Sequence, residues 1–116
     1  MDFAYQSEVA RQVADQVISA LPPEVRKAVG EAGIFFEDQP GPMDIESGID
    51  PDLLGYFDPG PPEAPSPRIR IWLANLWDYV EGDPAEFREE VETTLLHEIG
   101  HLLGWDELEV EERGLG

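Results

Sequence analysis

The chain has no cysteine, which excludes disulfides and any thiolate metal site. Basic residues are scarce. Lys27 and six arginines stand against 26 acids, for a formal charge of -19. Duplex phosphate would be repelled by that field, so nucleic-acid binding is not expected. The same field draws cations, including metal ions and basic peptides, although solubility is the plainer reading of so acidic a composition. Long apolar runs are also missing. None approaches the roughly 20 residues that span a bilayer, so no membrane partner is expected. The opening Met1-Asp2-Phe3-Ala4-Tyr5 lacks a basic region followed by an apolar stretch, so no signal peptide is expected and the expected location is cytoplasmic. Histidine is nearly absent too: the only two are His97 and His101, four positions apart.

What is present suits one folded domain over residues 1–116. The length is near the common domain size, and 41% hydrophobic residues are enough for a single core. Val9, Val13, Val17 and Leu21 recur every four residues, which predicts an amphipathic helix over about Phe3–Ala20, ended by Pro22-Pro23. A second short helix is expected from Pro23 to Val29, stopped by Gly30. Gly33-Ile34-Phe35-Phe36-Glu37 is short, apolar and aromatic, and reads as a strand. Residues 38–67 hold eight of the eleven prolines and many acids. Regular structure there should be sparse, with Leu53-Leu54-Gly55-Tyr56-Phe57 as one short strand. Such a long irregular segment is either a flap near a cleft or a surface excursion.

Arg68-Ile69-Arg70-Ile71-Trp72-Leu73 alternates with period two, as a half-buried strand does. Arg70 and Trp72 fall on its polar side and are candidate substrate-binding residues. The exposed arginines either pair with neighbouring acids or meet a substrate carboxylate. Leu76, Trp77 and Tyr79 are expected to close a small core lobe. Trp72, Trp77 and Trp105 are candidates for an exposed interface residue, so either a monomer or a homodimer is expected.

The last helix is the clearest. Asp83 suits the N-cap, Pro84 the first helical position and Glu86 the partner in a capping box, while Gly104 suits the left-handed residue that ends it. Its length of roughly 30 Å at 1.5 Å per residue would span the domain. Phe87, Val91, Leu95, Ile99 and Leu102 mark a buried stripe. Thr94, His97 and His101 mark another face. Within that helix lies His97-Glu98-Ile99-Gly100-His101, followed by Leu102-Leu103-Gly104-Trp105-Asp106-Glu107. Two imidazoles one turn apart can meet one metal ion, and zinc suits such a donor set. Glu98 is rotated about 100° from His97, so it is placed to take a proton from water and not to ligate. Beyond Gly104 the chain must reverse, which can return Glu107, or alternatively Asp106, to the metal. A last short helix is expected over Glu109–Gly116.

These residues resemble the zincins, and more narrowly the small bacterial mini-zincins with H-E-x-x-H-x-x-G-x-x-D. The resemblance extends to Leu54-Gly55-Tyr56-Phe57, Ile69-Arg70-Ile71 and the helix leading into the motif. It implies a zinc-dependent metallopeptidase with one Zn2+, a peptide or protein substrate, His97 and His101 as ligands, and Glu98 as general base. The family's final Asp is here Glu107, which makes Glu107 the implied third ligand and Asp106 the alternative. It also implies that a strand lies along the cleft and pairs with extended substrate. The Arg68–Leu73 strand is the candidate, with an ordinary sheet strand as the alternative. Larger zincins carry a Met turn, and often a Tyr or His, after the motif, whereas Met43, Tyr5, Tyr56 and Tyr79 here all precede it. Peptide deformylases share the motif but need a Cys ligand, and three-His proteins of RNA processing need a third His. The remaining alternative to a peptidase is a non-catalytic acidic domain that binds metal or a protein partner on the same scaffold. The expected fold class is α+β: N-terminal helices, a small twisted sheet of about three strands, and one long helix bearing the site.

Overall fold

The computed structural model describes residues 2–105. Helix α1, Phe3–Ser19, begins where the Asp2 carboxylate accepts from the Tyr5 N–H. It buries Val9, Val13 and Val17, the stripe that its spacing predicts. Helix α2, Pro23–Ala32, runs past Gly30 and stops at Gly33. The stop lies there because Gly33 takes φ +87° and ψ 151°, a conformation that residues with a Cβ avoid. The chain then enters strand β1, Ile34–Glu37.

The proline-rich segment holds more structure than its composition suggests. A short helix, α3, covers Pro42–Glu46, and strand β2 covers Gly55–Asp58. Strand β3, Arg68–Trp72, passes directly into helix α4, Leu73–Tyr79. The strand order is β1-β3-β2, with β1 parallel and β2 antiparallel to β3. Gly55 lies opposite Ile71 and Tyr56 opposite Arg70. Among the described residues β3 is therefore the central strand and β2 an edge. Helix α5, Pro84–Leu102, is capped by Asp83, whose carboxylate accepts from the N–H groups of Ala85 and Glu86. The Asp83 N–H donates to the Val80 carbonyl and not to Glu86, so only half of the expected capping box forms.

The resulting architecture is α+β. α5 packs against α1 on one side and against β2 and β3 on the other. Phe87, Val91, Leu95 and Ile99 meet Ile69, Ile71, Leu73 and Leu76 in one core. Trp77 sits edge-on to Phe87 at 5.3 Å between centroids and ties α4 to α5. Tyr79 is 62% exposed and stays outside that lobe. None of Trp72, Trp77 and Trp105 is an exposed side chain. Among the described residues no helix is long and apolar enough to cross a membrane.

Candidate active site

The cleft lies between the β2 edge and the C-terminal half of α5. It has a volume of about 530 Å³ and is lined by Leu53, Tyr56, Phe57, His97, Glu98 and His101, with Trp105 at one end. Three local features bring these residues together. Asn75 donates to the carbonyls of Pro51 and Leu53, both at 2.8 Å, which fixes the approach to β2. Gly55 lets β2 lie close on α5, since a Cβ there would stand 2.7 Å from Thr94 Cγ2 and 3.1 Å from Ile71 Cδ1. The third is the end of α5. Gly104 takes φ +86°, the Gly104 N–H donates to His101 O, and the Trp105 N–H donates to Gly100 O. This is a complete Schellman turn, and glycine is the residue that adopts it without strain.

That turn has a chemical consequence. It places the Trp105 carbonyl 2.9 Å from His101 Nδ1. A carbonyl only accepts, so Nδ1 carries the proton and Nε2 is the ring nitrogen that His101 turns toward His97. His97 Nε2 lies 3.2 Å from His101 Nε2, with the rings 77° apart. Two nitrogens each ~2.0–2.1 Å from a tetrahedral zinc would be about 3.3 Å apart. The pair therefore fits as two of the donors of such a site. Among the described residues no group of three or more His, Cys, Asp or Glu is assembled for a metal. Glu107 and Asp106, the two expectations for a third ligand, lie outside the described residues, as does the helix expected over Glu109–Gly116. Glu98 is 7% exposed and lines the same cleft.

Arg70 and Trp72 lie elsewhere. Both project from the face of β3 opposite to Ile69 and Ile71, and both are buried, at 6% and 0% exposure. The Arg70 guanidinium bonds Glu37 and Asp44 at 2.7–3.2 Å and passes 5.1 Å from the Trp72 ring. Trp72 Nε1 donates to Glu37 at 3.1 Å. Of the two alternatives for Arg70, pairing with neighbouring acids is the one the structure contains. Its hydrogen bonds hold the Asp44 carboxyl down at about 2, from 3.8. β3 also has strands on both sides, so the cleft strand is β2. The aromatic pair Tyr56-Phe57 beside a glycine was the available signal for that role, since Gly marks a close backbone approach within a strand. Of the three tyrosines, Tyr56 is the one that lines this cleft. A separate groove of about 430 Å³ between α1 and α5 is lined by Val13, Val17, Leu21 and Leu96 and holds none of the motif residues.

Among curated proteins none matches the chain. The model of the zincin-like metallopeptidase family matches residues 29–116, which takes in the whole sheet, α5 and the motif. The chain belongs to the zincin-like metallopeptidase family.

Proposed function

We propose that the protein is a zinc-dependent peptidase. His97 and His101 would hold one ion, with Glu107 as third ligand and Asp106 as its alternative, and Glu98 is the general base. The observation that carries this reading is the 3.2 Å convergence of two imidazole nitrogens beside a buried carboxylate, at the open edge of a sheet. Bound zinc would supply a Lewis acid for the scissile carbonyl and lower the pKa of the attacking water.

The chain's own residues do the rest. A carboxylate oxygen of Glu98 takes the proton of that water and returns it to the leaving amine. Its burial limits competing hydration and keeps the carboxylate aimed at the reacting atoms. The Trp105 carbonyl holds His101 in one tautomer and one orientation. The β2 edge offers backbone groups to an extended peptide, which adds as a further strand. Leu53, Tyr56 and Phe57 wall the bound segment and exclude water along it. The substrate is a peptide or protein. The acidic surface disfavours nucleic acid, and the protein acts as a cytoplasmic monomer or homodimer.

The test is hydrolysis of casein or of a quenched peptide library, with zinc and after chelation. Zinc-dependent cleavage that disappears in a zinc-retaining Glu98→Gln protein is expected. Zinc binding without any cleavage would favour the non-catalytic metal-binding domain instead.

A further inference from the structure

The cleft does not end at the histidines. Toward the N-terminus of α5 it continues into a second hollow of about 260 Å³, lined by Leu53, Leu54, Thr93, Thr94 and Glu90 and sharing His97 and Glu98 with the main cleft. This is smaller than the roughly 300–1,000 Å³ of a pocket that encloses a whole small ligand, and is the size for a side chain. Glu90, Thr94, His97 and His101 follow one another at helical spacing on one face of α5. Glu90 stands about 10 Å along the axis from His97, at 1.5 Å per residue.

Charge makes this end distinct. Among the described residues Glu90 forms no ion pair. The one arginine of the same helix, Arg88, is turned to α1, where it donates to Gln12 at 3.4 Å. Asp44, Asp58 and Glu37 are matched by Arg68 and Arg70 on the far face of the sheet. The opposite end of the cleft carries the aromatic side chains Tyr56, Phe57 and Trp105. The hollow therefore combines the leucine side chains of Leu53 and Leu54 with the Glu90 carboxylate, which stands farther along α5 from His97. A lysine or arginine side chain has the matching order, a three- or four-carbon stem and then a cation. The overall charge of -19 favours the approach of such a peptide.

We propose that the Glu90 hollow is a specificity subsite for a basic residue on one side of the scissile bond. This rests on the peptidase reading, and names the substrate class for the same site. The test uses alanine-based hexapeptides in which one Lys, Arg, norleucine or Glu is moved through every position. Binding is measured by calorimetry to zinc-loaded Glu98→Gln protein, and cleavage by mass spectrometry with the zinc-loaded native enzyme. At one register the Lys and Arg peptides should bind about fivefold more tightly than the norleucine peptide, a partly exposed ion pair's worth. That ratio should fall to about one when Glu90→Gln is added, and should turn toward the Glu peptide in Glu90→Lys. It should also shrink with added salt. A circular-dichroism melt of each Glu90 variant checks that it is folded.

A ratio that survives Glu90→Gln overturns the subsite, as does equal binding of basic and norleucine peptides, or no binding by any peptide. Cleavage without a basic preference removes the subsite and leaves the peptidase. A Glu90-dependent preference without cleavage removes the peptidase and leaves the subsite.

Discussion

The two faces of the sheet use charge in opposite ways. On the outer face, Arg70 is enclosed by Glu37 and Asp44 and lies over Trp72, and Arg68 reaches Asp58 at 3.2 Å. Every strand and α3 contributes to that network, so its charges hold the layers together. On the inner face, Ile69 and Ile71 pack on α5 with no exposure at all, and polarity is confined to one strip of the helix. There Glu98 is buried beside two imidazoles, and Glu90 has no basic partner among the described residues. Neutralised charge serves the fold, while the Glu90 carboxylate, with no ion pair among the described residues, remains available to a substrate. Changes on the inner face should then cost activity more than stability, and changes on the outer face the reverse.

The largest expected effect is on the inner face. Glu98→Gln should lower kcat/KM by about 10²–10⁴-fold, the usual contribution of a general base, with zinc content unchanged. Steady-state assays and metal analysis on one preparation decide it. A Glu98 variant that loses its zinc would show instead that this carboxylate is a ligand.

Arg70→Met is the counterpart. It leaves Glu37 and Asp44 without the guanidinium that both bond. Breaking a fully buried pair costs about 3–5 kcal/mol, and because these carboxylates are partly solvated we expect about 2–3 kcal/mol. A urea denaturation curve measures the loss, and the folded fraction should still take up zinc. A variant with native stability would break the contrast between the faces.

Gly55→Ala joins the two faces, since β2 belongs to both the sheet and the cleft. The new Cβ meets Thr94 Cγ2 at 2.7 Å, and forced overpacking of this kind costs about 1–3 kcal/mol. Thr94→Ser deletes that methyl and should recover part of the loss in the double variant. Additive losses in a double-mutant cycle would show that the two residues do not meet.

The smallest effect is the acid limb of the outer network. Asp44 is lowered from 3.8 to about 2, first by its side-chain hydrogen bond with Arg70. Its stabilisation is therefore present above about pH 4 and is lost as pH falls from there through about 2. With solvent screening we expect about 1–2 kcal/mol. Denaturation midpoints between pH 5 and 2 should fall less steeply in Asp44→Asn than in the native protein, and parallel curves would remove Asp44 from the network.

The helical half of this architecture was legible in the sequence because its signals are local. The four-residue spacing of Val9, Val13 and Val17 and the Asp83-Pro84 start each act within one or two turns. The pairing of the histidines follows from helix geometry alone. Strand order was not legible, because it depends on contacts between segments far apart in the chain. The alternation of Arg68–Leu73 shows that one side is polar. It does not show that Glu37 and Asp44, from β1 and α3, cover that side and bury Arg70. For the same reason the cleft strand was sought in β3, when the edge position belongs to β2. α3 went unseen because five residues between prolines have no periodicity to read. α4 went unseen because it follows β3 with no loop between them. Gly33 replaced Gly30 as the end of α2 because a glycine inside a helix costs only about 1 kcal/mol, and it is Gly33 that takes φ +87°.

Zinc stoichiometry tests the pairing of His97 with His101 most directly. The native protein, His97→Ala and His101→Ala are dialysed against zinc, and the bound metal is counted beside a melting curve for each. One zinc per native chain is expected, with a melting temperature that rises with free zinc, by about 2.7 kcal/mol of stability at a hundredfold excess over Kd. Both effects should be lost in each histidine variant. No bound zinc in the native protein, or one zinc per chain retained by both variants, would contradict the assignment of these two imidazoles as metal ligands.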